Sequence, residues 1–245
     1  MRTVVILQAR VASTRLPGKV LLDVLGRPML ARQIERLLRS TKADEIVVAT
    51  TDDEADAPLS KLADECGVRW YRGDADDVLR RFVNAAQEAA ADVVVRTTGD
   101  CPLIDATVMD HVIDELVTHN ADCDYASNVI RRTYPRGLDT EAMFVDVLER
   151  MERLATSKPA REHVTVFLRS ERRELFVTRD VCDATDNSDL RWTVDDERDL
   201  RLIRSLYEQL DLAHRRVTYH EMLAFMRQNP ALGQINAGGY TWTPQ

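Results

Sequence analysis

The sequence is poor in the residues that mark several large protein classes. It has four cysteines in 245 residues, Cys66, Cys101, Cys123 and Cys182, with no C-x-x-C pair and no histidine at zinc-ligand spacing. A disulfide framework and a zinc-built fold are therefore not expected, and a reducing, cytoplasmic setting is. The five histidines form no Ser/His/Asp or Cys/His set. No apolar run approaches the ~18 residues needed to cross a bilayer, and the run before Gln8 is too short for a signal-peptide core. No membrane partner is expected. Aromatic residues make up only 6% and do not interleave with basic ones, and the net charge is −8, which argues against a general nucleic-acid binder. There is also no Pro/Ser-rich linker and no internal repeat. Together these absences leave one globular domain over residues 1–245.

What is present is ample core, with 44% hydrophobic and 30% charged residues, and a lopsided charge. Residues 1–40 hold eight Lys/Arg and two acids, a net of +6, so the rest of the chain must carry −14 to reach the total of −8. The first 120 residues alternate between two periods. TVVILQA (3–9) reads as a strand buried on both faces, EIVVAT (45–50) repeats the strand signal, VRWY (68–71) is a short strand and DVVVRT (92–97) the fourth. Between them lie helical patterns: one opened by Pro28 with Leu30, Ile34, Leu37 and Leu38, one at 53–66, one carrying Val78, Leu79, Phe82, Val83 and Ala86, and one at 107–118. Such alternation predicts an α/β fold with a mostly parallel sheet and right-handed crossovers. From about 121 the rhythm changes. Strands are expected at 123–130, 139–145 and 174–178, with helices at 145–155 and 159–170. This α+β insertion over 121–180 is the natural place for an acceptor or a second subunit. A further strand is expected at 190–195, and helices at 196–210 and 218–228 would close the sheet.

The sharpest feature is Gln8-Ala9-Arg10-Val11-Ala12-Ser13-Thr14-Arg15-Leu16-Pro17-Gly18-Lys19. It lies between the first strand and the first helix, at the carboxyl edge where open α/β sheets bind ligands. Three cations and two hydroxyls within residues 10–19 suit a polyphosphate: arginine grips two oxygens, lysine is a compact point charge, and loop amides add donors. The loop is neither G-x-x-x-x-G-K-[ST] nor G-x-G-x-x-G, which argues against P-loop ATPases and nicotinamide-dependent dehydrogenases.

This segment resembles the signature of the CTP-dependent sugar cytidylyltransferases, which include the 3-deoxy-manno-octulosonate and acylneuraminate enzymes. The nearest branch is that of the spore coat polysaccharide biosynthesis protein F-like proteins, and the likeness runs across residues 3–200. The resemblance implies a Rossmann-like nucleotidyltransferase fold and a Mg²⁺-dependent transfer of CMP from CTP to a sugar or sugar-acid acceptor, with pyrophosphate released. It implies that Arg10, Arg15 and Lys19 hold the triphosphate, with Ser13 in the same loop, while the backbone from Leu7 through Gln8 to Ala9 approaches the pyrimidine. It also implies a role in cell-surface polysaccharide or glycoconjugate synthesis, and a homodimer formed through 121–180.

Nucleotidyl transfer needs a hard cation with few protein carboxylates. Thr97-Thr98-Gly99-Asp100-Cys101-Pro102 ends the fourth strand, and the resemblance makes Asp100 the metal-binding residue of a Gly-Asp-x-Pro element, with Thr98 and Gly99 beside the nucleotide. Cys101 departs from the acidic residue common there and reads as a small semi-buried thiol. Thr193-Val194-Asp195-Asp196-Glu197 resembles a second element, whose first aspartate, Asp195, joins the metal. Asp196 and Glu197 read as a helix cap and first turn, and Asp52 and Asp53 as ordinary cap chemistry. By resemblance Gly73, Asp74 and Val78 contact the base or ribose; the alternative for this stretch is a capping turn. On the acceptor side Arg136 would hold an anion, Asp139 and Glu141 would read hydroxyls, and His163 is either an acceptor contact or a structural histidine. A sugar-nucleotide-dependent glycosyltransferase, which shares a similar α/β nucleotide-binding architecture, is the rival enzyme, although Asp74-x-Asp76, the motif it would use for metal, sits one strand too early. A non-catalytic nucleotide-binding module is the rival of another class.

Overall fold

The apolar run at the start of the chain becomes β1 (Thr3–Gln8), with every residue but the last buried. The computed structural model describes residues 1–238, so residues 239–245 of the expected 1–245 domain lie outside the described residues. After β1 come a small ribbon, β2 (Asp23–Val24) with β3 (Arg27–Pro28), then α1 (Met29–Leu37), β4 (Glu45–Thr51), α2 (Ala57–Glu65), β5 (Arg69–Gly73), α3 (Val78–Glu88), β6 (Val93–Thr98) and α4 (Ala106–Thr118). The second half holds β7 (Tyr125–Ser127), β8 (Glu141–Phe144), α5 (Val145–Leu154), α6 (Lys158–His163), β9 (Thr178–Asp180), α7 (Glu197–Gln209), α8 (Tyr219–Gln228) and α9 (Pro230–Gln234).

Seven strands form one sheet in the order β5-β4-β1-β6-β8-β7-β9. All neighbours are parallel except those of β8, which runs against both β6 and β7. The fold is thus the mostly parallel mixed α/β sheet that the alternation predicts. β1 lies between β4 and β6, and its side chains divide between two cores. Val5 and Leu7 face a layer that includes Leu30 and Ile34 of α1, Leu59 of α2, Val112 of α4 and Ile203 of α7. Val4 and Ile6 face Phe82 of α3, Leu148 of α5 and Ala160 of α6. Burial on both faces is why β1 reads as a continuous apolar run instead of an alternating one.

The second half departs from its expected elements in three places. The helix expected at 159–170 stops at His163, where Val164 takes φ +52° and Thr165 N donates back to the His163 carbonyl at 2.6 Å. This is a γ-turn of the rare strained kind, and the chain resumes as a single π-helical turn from Phe167 to Glu171. The strand expected at 174–178 is a tight turn that only becomes extended at β9. Residues 190–195 form no sheet strand. Their backbone is shared between two loops: Arg136 N donates to the Leu190 carbonyl at 3.1 Å, Trp192 N to the Arg136 carbonyl at 2.6 Å, and Val194 N to the Asp100 carbonyl at 2.8 Å. With their amides and carbonyls used this way, the residues stitch the ends of the sheet together instead of extending it.

Candidate active site

The carboxyl ends of β1 and β6 meet because Gly99 has no side chain. A Cβ there would sit 3.1 Å from the Ala9 Cβ and 3.2 Å from the Gln8 carbonyl oxygen, which instead receives the Gly99 amide at 2.8 Å. The junction sets Asp100 beside the loop that follows β1. That loop is pinned by a residue the sequence reading did not single out: Asp56 accepts the Val11 amide at 2.6 Å, and its other oxygen takes the Thr51 hydroxyl. Gly18 then turns with φ +68°, its amide on the Val11 carbonyl at 3.1 Å, and a short 3₁₀ turn over Lys19–Leu21 follows. Arg10 and Arg15 are left exposed, Ser13 is half-buried with its hydroxyl on the Leu16 amide, and Lys19 is half-buried.

The two aspartates singled out 95 positions apart come together on Lys19. Its ammonium donates to the Val194 carbonyl at 2.6 Å and to Asp195 Oδ1 at 3.3 Å, and lies 3.7 Å from Asp100 Oδ2. Arg15 reaches the same Asp195 oxygen at 2.8 Å. Burial by itself would raise the Asp100 carboxyl, but the Lys19 charge, with hydrogen bonds from the Thr98 hydroxyl (2.6 Å) and the Cys101 thiol (3.4 Å), holds it below the usual carboxylate range. Cys101 goes the other way: burial and the Asp100 charge push its thiol well above its ordinary value, so it offers no thiolate. Asp196 caps α7, accepting the Arg198 and Asp199 amides, while Asp199 accepts the Asp196 amide in return. Asp199 also takes the Asp195 amide at 2.9 Å, which fixes the backbone that carries the second aspartate.

Beyond this cluster opens a cleft of about 400 Å³, walled by Asp100 and Asp195 on one side and by the 129–141 segment on the other. Arg136, Asp139 and Glu141 all line it, as expected, but the two acids are already engaged. Asp139 holds Arg132 through two parallel bonds of 2.7 and 2.8 Å. Glu141, only 5% exposed, pairs with Arg96 at 3.2 Å and stands 4.0 Å from Arg169. They therefore organise arginines instead of presenting free carboxylates to a ligand. Among the described residues Arg136 has no ion-pair partner; burial, then the neighbouring Arg132 and Arg191 charges, lower it from its ordinary value. Five arginines, 96, 132, 136, 169 and 191, thus face four carboxylates across the cleft. One of these arginines, Arg191, is paired with the buried Asp199.

Arg96, Arg132, Arg169 and Arg191 were absent from the sequence reading. Arg96 had a signal, a lone charge inside the otherwise apolar strand; Arg132 and Arg191 pair with acids seven and eight residues further on, and Arg169 faces Glu141 from a distant segment. His163 is not among the residues lining the cleft; it sits in the γ-turn that precedes Arg169. Leu7 and Ala9 are buried, and Val78, the first residue of α3, is packed in the core. Gly73 ends β5 against Arg81. Asp74 accepts the Asp76 and Asp77 amides at 2.8 Å each, and these bonds hold it below the usual carboxylate range. Its carboxylate is spent on the turn, and Asp77 caps α3, which favours the capping-turn alternative over a metal-binding Asp-x-Asp pair.

A parallel sheet with a basic loop and paired carboxylates at its carboxyl edge defines a nucleotide-handling α/β protein. The sequence profile of the cytidylyltransferase family matches residues 4–222, and the chain belongs to that family. It is a nucleotidyltransferase. The chain is 30% identical to the spore coat polysaccharide biosynthesis protein SpsF of Bacillus subtilis, over 92% of this chain and 94% of that one. It is 36% identical to the 3-deoxy-manno-octulosonate cytidylyltransferase of Aeromonas salmonicida over about half of each chain, 49% and 48%. Among solved structures, a cytidylyltransferase from Leptospira borgpetersenii serovar Hardjo-bovis superposes with a TM-score of 0.91 at 29% identity, covering 99% of this chain and 100% of that one. Among the described residues, no helix is long and apolar enough to cross a membrane.

Proposed function

We propose that the protein transfers CMP from CTP to an anionic sugar or sugar-acid acceptor and releases pyrophosphate, with Mg²⁺ as the metal. The observation that carries this reading is the convergence of Lys19, Asp100 and Asp195 where the basic loop meets the arginine-lined cleft. The acceptor hydroxyl, oriented in the cleft, attacks the α-phosphorus; the new P–O bond forms as the bond to the leaving pyrophosphate breaks, and the hydroxyl proton is released to water. Arg10, Arg15 and Lys19 hold the departing phosphates, a preorganised cationic clamp of the kind that stabilises charge as it develops. Arg136 holds the acceptor's anionic group, and Asp139 and Glu141 act through the arginines they fix.

Asp100 and Asp195 fit the metal. They are two hard carboxylates side by side, and among the described residues no group of three or more His, Cys, Asp or Glu is disposed to bind an ion. Such a sparse set of hard protein donors would suit Mg²⁺. Once bound, it withdraws charge from the phosphates. The 121–180 segment, which supplies β7, β8 and β9 and much of the far wall of the cleft, is the part we assign to acceptor binding and to pairing in a homodimer. The relative from B. subtilis is named for polysaccharide biosynthesis, and we place the product of this enzyme in cell-surface polysaccharide or glycoconjugate synthesis, in the cytoplasm.

The test is pyrophosphate release from CTP and Mg²⁺ with a panel of acceptors: keto sugar acids, amino and deoxy sugars, phosphorylated and phosphonate compounds. Turnover is expected with an anionic acceptor. Lys19→Ala and Asp100→Asn are each expected to lower it by about 10²–10³-fold with the circular dichroism spectrum unchanged. Wild-type rates in both variants would remove these residues from the mechanism.

A further inference from the structure

The ammonium of Lys19 has the surroundings of a bound cation. Three oxygens face it: the Val194 carbonyl at 2.6 Å, Asp195 Oδ1 at 3.3 Å and Asp100 Oδ2 at 3.7 Å. Two of these belong to the carboxylates assigned above to the metal. Arg15 lies on the same Asp195 oxygen at 2.8 Å, so that oxygen is shared by two positive side chains. In this arrangement two cations neutralise two carboxylates, and a free divalent ion would have to displace Lys19 or enter against like charge. A triphosphate changes the balance, since it offers both side chains a denser set of anionic oxygens. The means of moving are local. The backbone under Lys19 is fixed by the Gly18 turn and the 3₁₀ turn, while its four-carbon stem is flexible.

We propose that Lys19, with Arg15 beside it, occupies the metal site of the nucleotide-free enzyme as an internal cation, so that the divalent ion is admitted only when CTP draws the two side chains onto its phosphates. The inference rests on the assignment of Asp100 and Asp195 to the metal, and it makes the order of binding a property of this chain. Nucleotide and metal are then coupled through Lys19. By linkage, the factor by which CTP raises metal affinity equals the factor by which metal raises CTP affinity. Removing the lysine charge should shrink both.

The probe is Mn²⁺, followed by electron paramagnetic resonance of the free ion during titration of the full-length protein. Without nucleotide, the wild type is expected to leave Mn²⁺ free, and Lys19→Met to bind it at least about tenfold more tightly. Adding Asp195→Asn to Lys19→Met should abolish that gain, and CTP should restore Mn²⁺ binding to the wild type. Arg15→Ala, at an exposed side chain whose loss leaves the core intact, should shift affinity in the same direction by a smaller factor. Circular dichroism checks that each variant is folded. Equal Mn²⁺ affinity of the nucleotide-free wild type, Lys19→Met and Arg15→Ala would overturn the internal-cation role while leaving the metal assignment standing. Absence of Mn²⁺ binding in every protein, with CTP present, would overturn both.

Discussion

Gly137 shows how a single residue positions the cleft. It has φ +107°, and a Cβ there would sit 2.6 Å from the Trp192 carbonyl carbon and 2.8 Å from its oxygen, both backbone atoms that cannot swing aside. Only glycine lets the turn bearing Arg136 close onto residues 190–195. Gly137→Ala is expected to cost about 2–4 kcal/mol from backbone strain and overpacking together, a fall of roughly 5–15 °C in Tm for a domain of this size. An unchanged melting temperature would show that the two segments are not locked together. Arg15 and Lys19 were legible as residues because they stand in a basic loop between a strand and a helix, and Asp100 because it follows a strand end; Asp195 was singled out by resemblance. The arginine pairs were not. Glu141 looks like a free hydroxyl reader in sequence, and only its burial against Arg96 and Arg169 shows that it holds other side chains in place.

Among the elements, α7 links stability to the site through its first turn. Asp196 caps the helix, and Asp199 returns a carboxylate to the amides of Asp195 and Asp196. Loss of such a cap costs ~1 kcal/mol. Asp196→Ala should therefore lower Tm by roughly 2–4 °C, and it should weaken CTP–metal binding measured calorimetrically, because the first turn of α7, which presents Asp199 to the Asp195 amide, loses its cap. A lower Tm with unaltered CTP–metal binding would separate the cap from the site. The helix start was readable from Asp-Asp-Glu before an apolar period, and so were the first four parallel strands. The errors fall where tertiary contacts override local pattern. Residues 190–195 have strand composition, but two loops take up their hydrogen bonds; the helix expected across 159–170 breaks at Val164, and the π-helical turn that follows carries Arg169 to the cleft wall.

At the scale of the whole molecule, titration sets a window of stability. Hydrogen bonds from the Asp77 and Asp76 amides lower Asp74, the Arg227 guanidinium lowers Asp189, and Arg198 lowers Asp196. A carboxyl lowered by folding contributes stability above its unfolded value of about 4 and loses it as pH falls through the folded value. Burial works in the opposite range on tyrosine, pushing Tyr134 and Tyr207 up to about 12. Their contribution is complete below the unfolded value of about 10 and is lost as pH rises toward the folded one. Calorimetric Tm is therefore expected to be level from about pH 5 to 9 and to fall on both sides. Tyr207→Phe should remove part of the alkaline fall, and an identical alkaline profile in that variant would exclude Tyr207 as a cause.

The two aspartates were assigned to the metal by family resemblance, whereas the sequence by itself determined the parallel half of the sheet and the basic loop at its edge. These are local properties: hydrophobic period, turn chemistry and charge spacing are written within stretches of ten to twenty residues. Tertiary structure alone decided that Lys19 stands between Asp100 and Asp195 and that β8 runs against its neighbours. It alone decided that arginines from four separate segments converge on one cleft. Those facts depend on which distant surfaces pack together, and no local period records that. The +6 of the first forty residues gains its meaning only there, where Arg15 and Lys19 meet acids drawn from the −14 remainder.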